Sequence, residues 1–85
     1  MKFIASNSFK QAPDEEIFAL FPAEQARVAE LQAQGILVNL YVAADYSKAW
    51  LICEGESQEV VENALESLPL HKFSKSELTP LAAQV

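Results

Sequence analysis

The segment that most constrains this chain is residues 36–43, Ile-Leu-Val-Asn-Leu-Tyr-Val-Ala, where β-branched, aliphatic and aromatic side chains run on without a turn signal. The run is far short of the ~20 residues that cross a bilayer, and it reads as a buried strand. Its neighbour, residues 48–54, alternates Ala49, Leu51 and Cys53 with Trp50, Ile52 and Glu54, the period of a second strand. Only Ala44, Asp45, Tyr46 and Ser47 separate the two, so they form an antiparallel hairpin. Under strict alternation the first strand is apolar on both sides, with Ile36, Val38, Leu40 and Val42 on one and Leu37, Tyr41 and Ala43 on the other. Helices can cover one side of such a sheet. The other side needs a further layer.

The remaining elements follow from local signals. Residues 2–9 set Phe3, Ala5, Asn7 and Phe9 against Ile4, Ser6 and Ser8, a strand that Pro13 ends. Pro13 with Asp14, Glu15 and Glu16 suits a helix start, because acidic groups complement the positive end of the macrodipole. Pro22 predicts a first turn or two, a kink, and then a helix over residues 22–34 closed by Gly35. Ser57 is a candidate N-cap for a second helix, whose face carries Val60, Val61, Ala64, Leu65 and Leu68 and which Pro69 stops. A last, weaker strand is predicted over residues 70–79, before Pro80.

The order β-α-β-β-α-β predicts an α+β protein of ferredoxin-like topology, a four-stranded antiparallel sheet with both helices on one face. With 85 residues, 1–85 makes one domain. A second copy of the same sheet is the simplest cover for the bare face, which predicts a homodimer or higher homo-oligomer.

Charge narrows the partners. Twelve Asp and Glu against six Lys and Arg give a net charge of −6, the wrong sign for neutralising phosphates, so nucleic acid is not expected. No membrane partner is expected either, and the start of the chain lacks the apolar core of a secretion leader. One cysteine and one histidine supply neither an internal disulfide nor a zinc set. Two separated glycines build no phosphate-cradling loop. The expectation is therefore a cytoplasmic protein without metal or cofactor.

Few side chains can carry chemistry. Glu24 fills a place in the apolar stripe Phe21, Val28, Leu31. Turned inward it would be desolvated, its pKa would rise, and it could serve as a general base; as a first-turn residue after Pro22 it would instead cap free N–H groups. His71, placed at the start of the last strand, is either a second acid–base group or an exposed residue beside Lys72. Tyr41, Trp50 and Tyr46 with Asn39 as a polar anchor can wall a small-molecule pocket or pack an interface. Cys53, in an apolar strand without an adjacent base, reads as an inert thiol.

Residues 65–70, Leu-Glu-Ser-Leu-Pro-Leu, are followed six residues later by Glu77-Leu78-Thr79-Pro80-Leu81-Ala82. Together with Glu30-Leu31-Gln32-Ala33-Gln34-Gly35 this pattern resembles the muconolactone delta-isomerase family over roughly 50 residues. The resemblance implies a dimeric α+β barrel, two such sheets face to face, with a cofactor-free site that shifts a proton in a small carboxylated lactone. It implies a family glutamate at Glu24. The chain departs from the family in having Leu37, Val38 and Asn39 where the second strand carries Trp, Arg and His, and Val42 at a later Arg. An anionic ligand would then have to recruit Lys48, Lys72 or His71. Two readings stay open: an isomerase of small lactones or conjugated acids, or a catalytically silent barrel that binds a small apolar molecule or serves as an oligomeric module.

Overall fold

A computed structural model describes residues 1–12 and 14–82, and in it the chain forms β1 (Lys2–Phe9), α1 (Glu15–Ala33), β2 (Leu37–Val42), β3 (Lys48–Glu54), α2 (Gln58–Glu66) and β4 (Ser74–Leu81). The four strands make one antiparallel sheet in the order β2-β3-β1-β4. This is the predicted βαββαβ topology.

Side-chain alternation divides the sheet into two faces. On one, Phe3 and Ala5 of β1 stand opposite Cys53 and Leu51 of β3, all buried, and pack with Leu31 of α1 and Val61, Ala64 and Leu65 of α2. Burying side chains of this size contributes ~1.5–3 kcal/mol each, which makes this layer the main source of cohesion. The other face carries Ile4, Tyr41, Trp50, Ile52 and Leu81 with Lys48, Lys75 and Glu77 at its margins, and no element of the described chain covers it.

Strict alternation fails in β2. Leu37 pairs with Cys53 and Asn39 with Ile52, so Val38 is a bulge. The extra residue returns Leu40, opposite Leu51, and Val42, opposite Ala49, to the same side as Leu37. The two groups read from the sequence are therefore redistributed. Leu37, Leu40 and Val42 face the helices, while Asn39 and Tyr41 face the open side. Leu40 and Val42 still remain 38% and 49% exposed, because α1 does not close over this end of the edge strand.

The predicted break at Pro22 does not occur, and α1 is one helix with Pro22 inside it. Its start is Asp14, whose Oδ1 accepts from the Ile17 N–H at 3.0 Å; the Pro13 part of the expected helix start lies outside the described residues. Pro22 cannot donate to the Phe18 carbonyl, but both residues are exposed and water can satisfy that oxygen. Pro22→Ala should restore the bond and raise unfolding stability by about 1–3 kcal/mol, read as a higher urea midpoint. An unchanged midpoint would show that the helix already absorbs the proline without cost. Gly35, at φ 77°, closes α1 in the left-handed region as expected.

Two boundaries near the C-terminus also differ. His71 does not open β4; residues His71–Phe73 form a 3₁₀ turn, with the His71 N–H donating to the Leu68 carbonyl. β4 begins at Ser74 and runs through Pro80, which an edge strand tolerates because one row of its backbone groups is unpaired. No described helix is long and apolar enough to cross a membrane.

Candidate functional site

A cavity of about 330 Å³ opens between α1 and the end of the sheet where β1 finishes and β3 begins. Phe21, Glu24 and Val28 of α1 form one wall, spaced three and four residues apart and so on one helical face. Leu40, Val42, Ala49 and Leu51 form the sheet side, Leu68 and Leu70 the far wall, and Tyr46 of the hairpin loop the rim. Phe21 is held edge-on by Phe18, ring centroids 5.4 Å apart. Tyr46 has φ 61°, and the loop around it is tied by Asp45, whose Oδ1 accepts from the Ser47 N–H and hydroxyl.

Among the described residues Glu24 is the carboxylate that borders this cavity. Its Oε1 accepts from the Leu70 N–H at 3.0 Å, 46 residues away in sequence. Pro69 has no N–H and α2 has already ended, so the Glu24 carboxylate completes the turn after the helix. This replaces the first-turn capping expected from Pro22. Oε2 has no hydrogen-bond partner among the described residues. Burial raises the Glu24 pKa above 4.5, while the Leu70 N–H and the nearby charge of His71 act in the opposite direction and do not cancel it.

Of the other residues singled out from the sequence, Tyr46 and Lys48 join Glu24 at the cavity. His71 is half-buried beside Glu24 but lines a separate polar pocket with Gln58, Glu62 and Glu66. Asn39, Tyr41 and Trp50 lie on the open face of the sheet, away from the cavity. Lys48 touches the cavity rim, yet its Nζ lies 6.0 Å from the Trp50 ring centroid, on the open face. Of the three aromatics only Tyr46 borders the cavity. Cys53 is buried without a basic partner, and burial pushes its thiol up to about 11, which leaves it protonated at neutral pH. Among the described residues no group of three or more His, Cys, Asp or Glu could hold a metal.

Sequence reasoning missed Asn7. It stands in line with Phe3 and Ala5, lines the cavity, and carries the only buried side-chain oxygen or nitrogen among the described residues that lacks a partner, its Oδ1. A buried acceptor left unpaired costs about 1–3 kcal/mol. The available signal was a carboxamide at a core-facing position of a strand.

Comparison with known proteins agrees with this architecture. A muconolactone isomerase structure superimposes with a TM-score of 0.84 at 22% identity, covering 99% of this chain and 91% of that one. A 5-chloro-2-hydroxyhydroquinone dehydrochlorinase from Burkholderia phenoliruptrix AC1100, solved with 2,5-dihydroxybenzoquinone, gives 0.80 at 17% identity, covering 99% and 96%. At these identities the likeness shows the fold. No curated protein matches the sequence. The family profile for muconolactone delta-isomerase matches residues 1–84, and the chain belongs to that family.

Proposed function

We propose that the chain is a cofactor-free isomerase that moves a proton within a small unsaturated lactone or conjugated acid, in the cavity between α1 and the sheet. The observation that carries this reading is Glu24: a half-buried carboxylate with one free oxygen, at the wall of an apolar cavity, with a raised pKa. Desolvation makes such a carboxylate a stronger base once ionised, while the Leu70 N–H fixes its position. In the reaction Glu24 takes a proton from a carbon conjugated with the ring carbonyl, the electron pair spreads onto the carbonyl oxygen, and the carboxyl returns the proton at another carbon. One C–H bond breaks, one forms, and the double bond moves. His71 acts through Glu24 by biasing its ionisation.

Two copies pair through the open faces of their sheets, a reading supported by the apolar row Tyr41, Trp50, Ile52 and Ile4 on that face. The free, buried Cys53 suits a reducing compartment such as the cytoplasm.

Proton NMR in D₂O with a γ-lactone whose double bond can migrate tests the isomerase. Deuterium should enter the ring at the receiving carbon as the double bond moves, well above the buffer rate. If the lactone binds and no deuterium enters, the cavity is a binding site for a small apolar molecule and the catalytic reading is lost.

A further inference from the structure

Among the described residues Tyr46 is the only one other than glycine at positive φ, 61°. A bulky side chain is strained in that left-handed region, and glycine or asparagine would make the same turn more easily. The hairpin loop holds it there. The Tyr46 N–H donates to the Ala43 carbonyl at 2.9 Å, and Asp45 Oδ1 accepts from the Ser47 N–H at 3.0 Å and from the Ser47 hydroxyl. The core gains little from the ring, because Tyr46 is 75% exposed. What the strained position secures is a phenol ring at the rim of the cavity that Glu24 borders.

Aromatic and aliphatic groups gather around this rim. Phe21 lines the cavity from α1, with the exposed Phe18 edge-on against it. Leu40 and Val42 of β2 line the cavity and are also exposed. A ligand inside therefore meets one aromatic ring at the helix wall and a second at the hairpin rim. Exposed side chains change rotamer within nanoseconds, so the Tyr46 ring can turn onto a ligand while its backbone stays fixed. A conjugated ring offers that phenol a flat π-face to stack on, and a puckered saturated ring does not.

We infer that Tyr46 is a specificity-determining residue, whose ring closes over the ligand and selects flat, conjugated rings over puckered, saturated ones. This role rests on the cavity being the working site of the proposed function, and it needs no proton transfer. A volume of about 330 Å³ accommodates a small ring compound of this kind.

The test is calorimetric binding of coumarin and octahydrocoumarin, two lactones with one bicyclic skeleton that differ in flatness, to the wild-type chain, Tyr46→Gly and Tyr46→Phe. The wild-type chain should favour coumarin. Tyr46→Gly should weaken coumarin binding about two- to tenfold, the effect of one lost aromatic pair, and leave octahydrocoumarin binding nearly unchanged. The same variant should raise the urea midpoint, because glycine relieves the left-handed strain. Tyr46→Phe keeps the ring and should keep the wild-type preference. If Tyr46→Gly does not fold, Tyr46→Asn takes its place. Equal weakening of both lactones, an unchanged coumarin affinity or a lowered urea midpoint overturns the inference. So does a change in sedimentation, which would put Tyr46 in a contact between copies, or no binding of either lactone by the wild-type chain at millimolar concentration. Deuterium entry alongside any of these results would leave the proposed isomerase standing without this role for Tyr46. The expected affinities without deuterium entry would do the reverse.

Discussion

Glu24→Gln should lower kcat/KM for lactone isomerisation by about 10²- to 10⁴-fold while the chain stays folded. The amide keeps the shape of the side chain and its oxygen can still accept from the Leu70 N–H, so the turn after α2 is preserved. What is lost is the only carboxylate among the described residues that borders the cavity. The pH dependence gives a second, independent readout. Because burial raises the Glu24 pKa, the isomerisation rate of the wild-type chain should climb through a pKa above 4.5 and then level off as the base becomes fully ionised. Stability runs the other way. The native state holds the Glu24 proton more tightly than the unfolded chain does, so the favourable contribution is complete below about 4.5 and is lost as pH rises through the raised native pKa. Urea midpoints of wild-type and Glu24→Gln should therefore shift against each other across that window, the wild-type losing ground toward neutral pH. A variant that isomerises at the wild-type rate would remove Glu24 from the mechanism.

Trp50→Glu should convert a dimer into a monomer of 9.4 kDa. Trp50 lies directly opposite Tyr41 in the register of β2 and β3, with Ser6 of β1 on its other side, so it occupies the middle of the open face. Tyr41 is 58% exposed in the isolated chain and lies beside Trp50, so the pair offers aromatic surface that a second sheet can cover. A two-fold contact places each substituted residue in the interface twice, so one change introduces two carboxylates. An unpaired charge at a buried contact costs about 3–5 kcal/mol, and two of them should weaken association by more than a thousandfold. Sedimentation at micromolar concentration should show the wild-type chain at twice 9.4 kDa and the variant at 9.4 kDa. A wild-type chain that sediments as a monomer would end the two-sheet reading. Leu40→Asp tests a different place, because the β2 bulge turns Leu40 toward Leu51 and the cavity rather than toward a second sheet.

Where the deciding physics is local, the elements were legible in the sequence. The hairpin follows from two β-rich runs and a four-residue loop, the end of α1 from Gly35 at positive φ, and the start of α2 from Ser57, whose hydroxyl accepts from the Val60 N–H at 3.3 Å. Each interaction lies within a turn of its own residue, so its signal is carried by neighbouring letters. The element order and these short links then leave few ways to build the sheet. Glu24 was legible as an anomaly for the same reason, a carboxylate out of place in a helical stripe.

Tertiary contacts decided the rest. Whether Pro22 breaks α1 depends on whether water can reach the Phe18 carbonyl, which depends on the face that α1 buries. The Val38 bulge arises where β2 must seat Leu37 in the core and still turn Leu40 and Val42 toward the helices, a compromise set by β3. The partner of Glu24 is a backbone N–H 46 residues away, exposed by the end of another helix. The unpaired oxygen of Asn7 depends on which groups pack around it, and no pattern of letters records that. Periodicity and caps describe one element at a time, whereas a cavity and a pKa belong to the gap between elements, which exists only once they have packed.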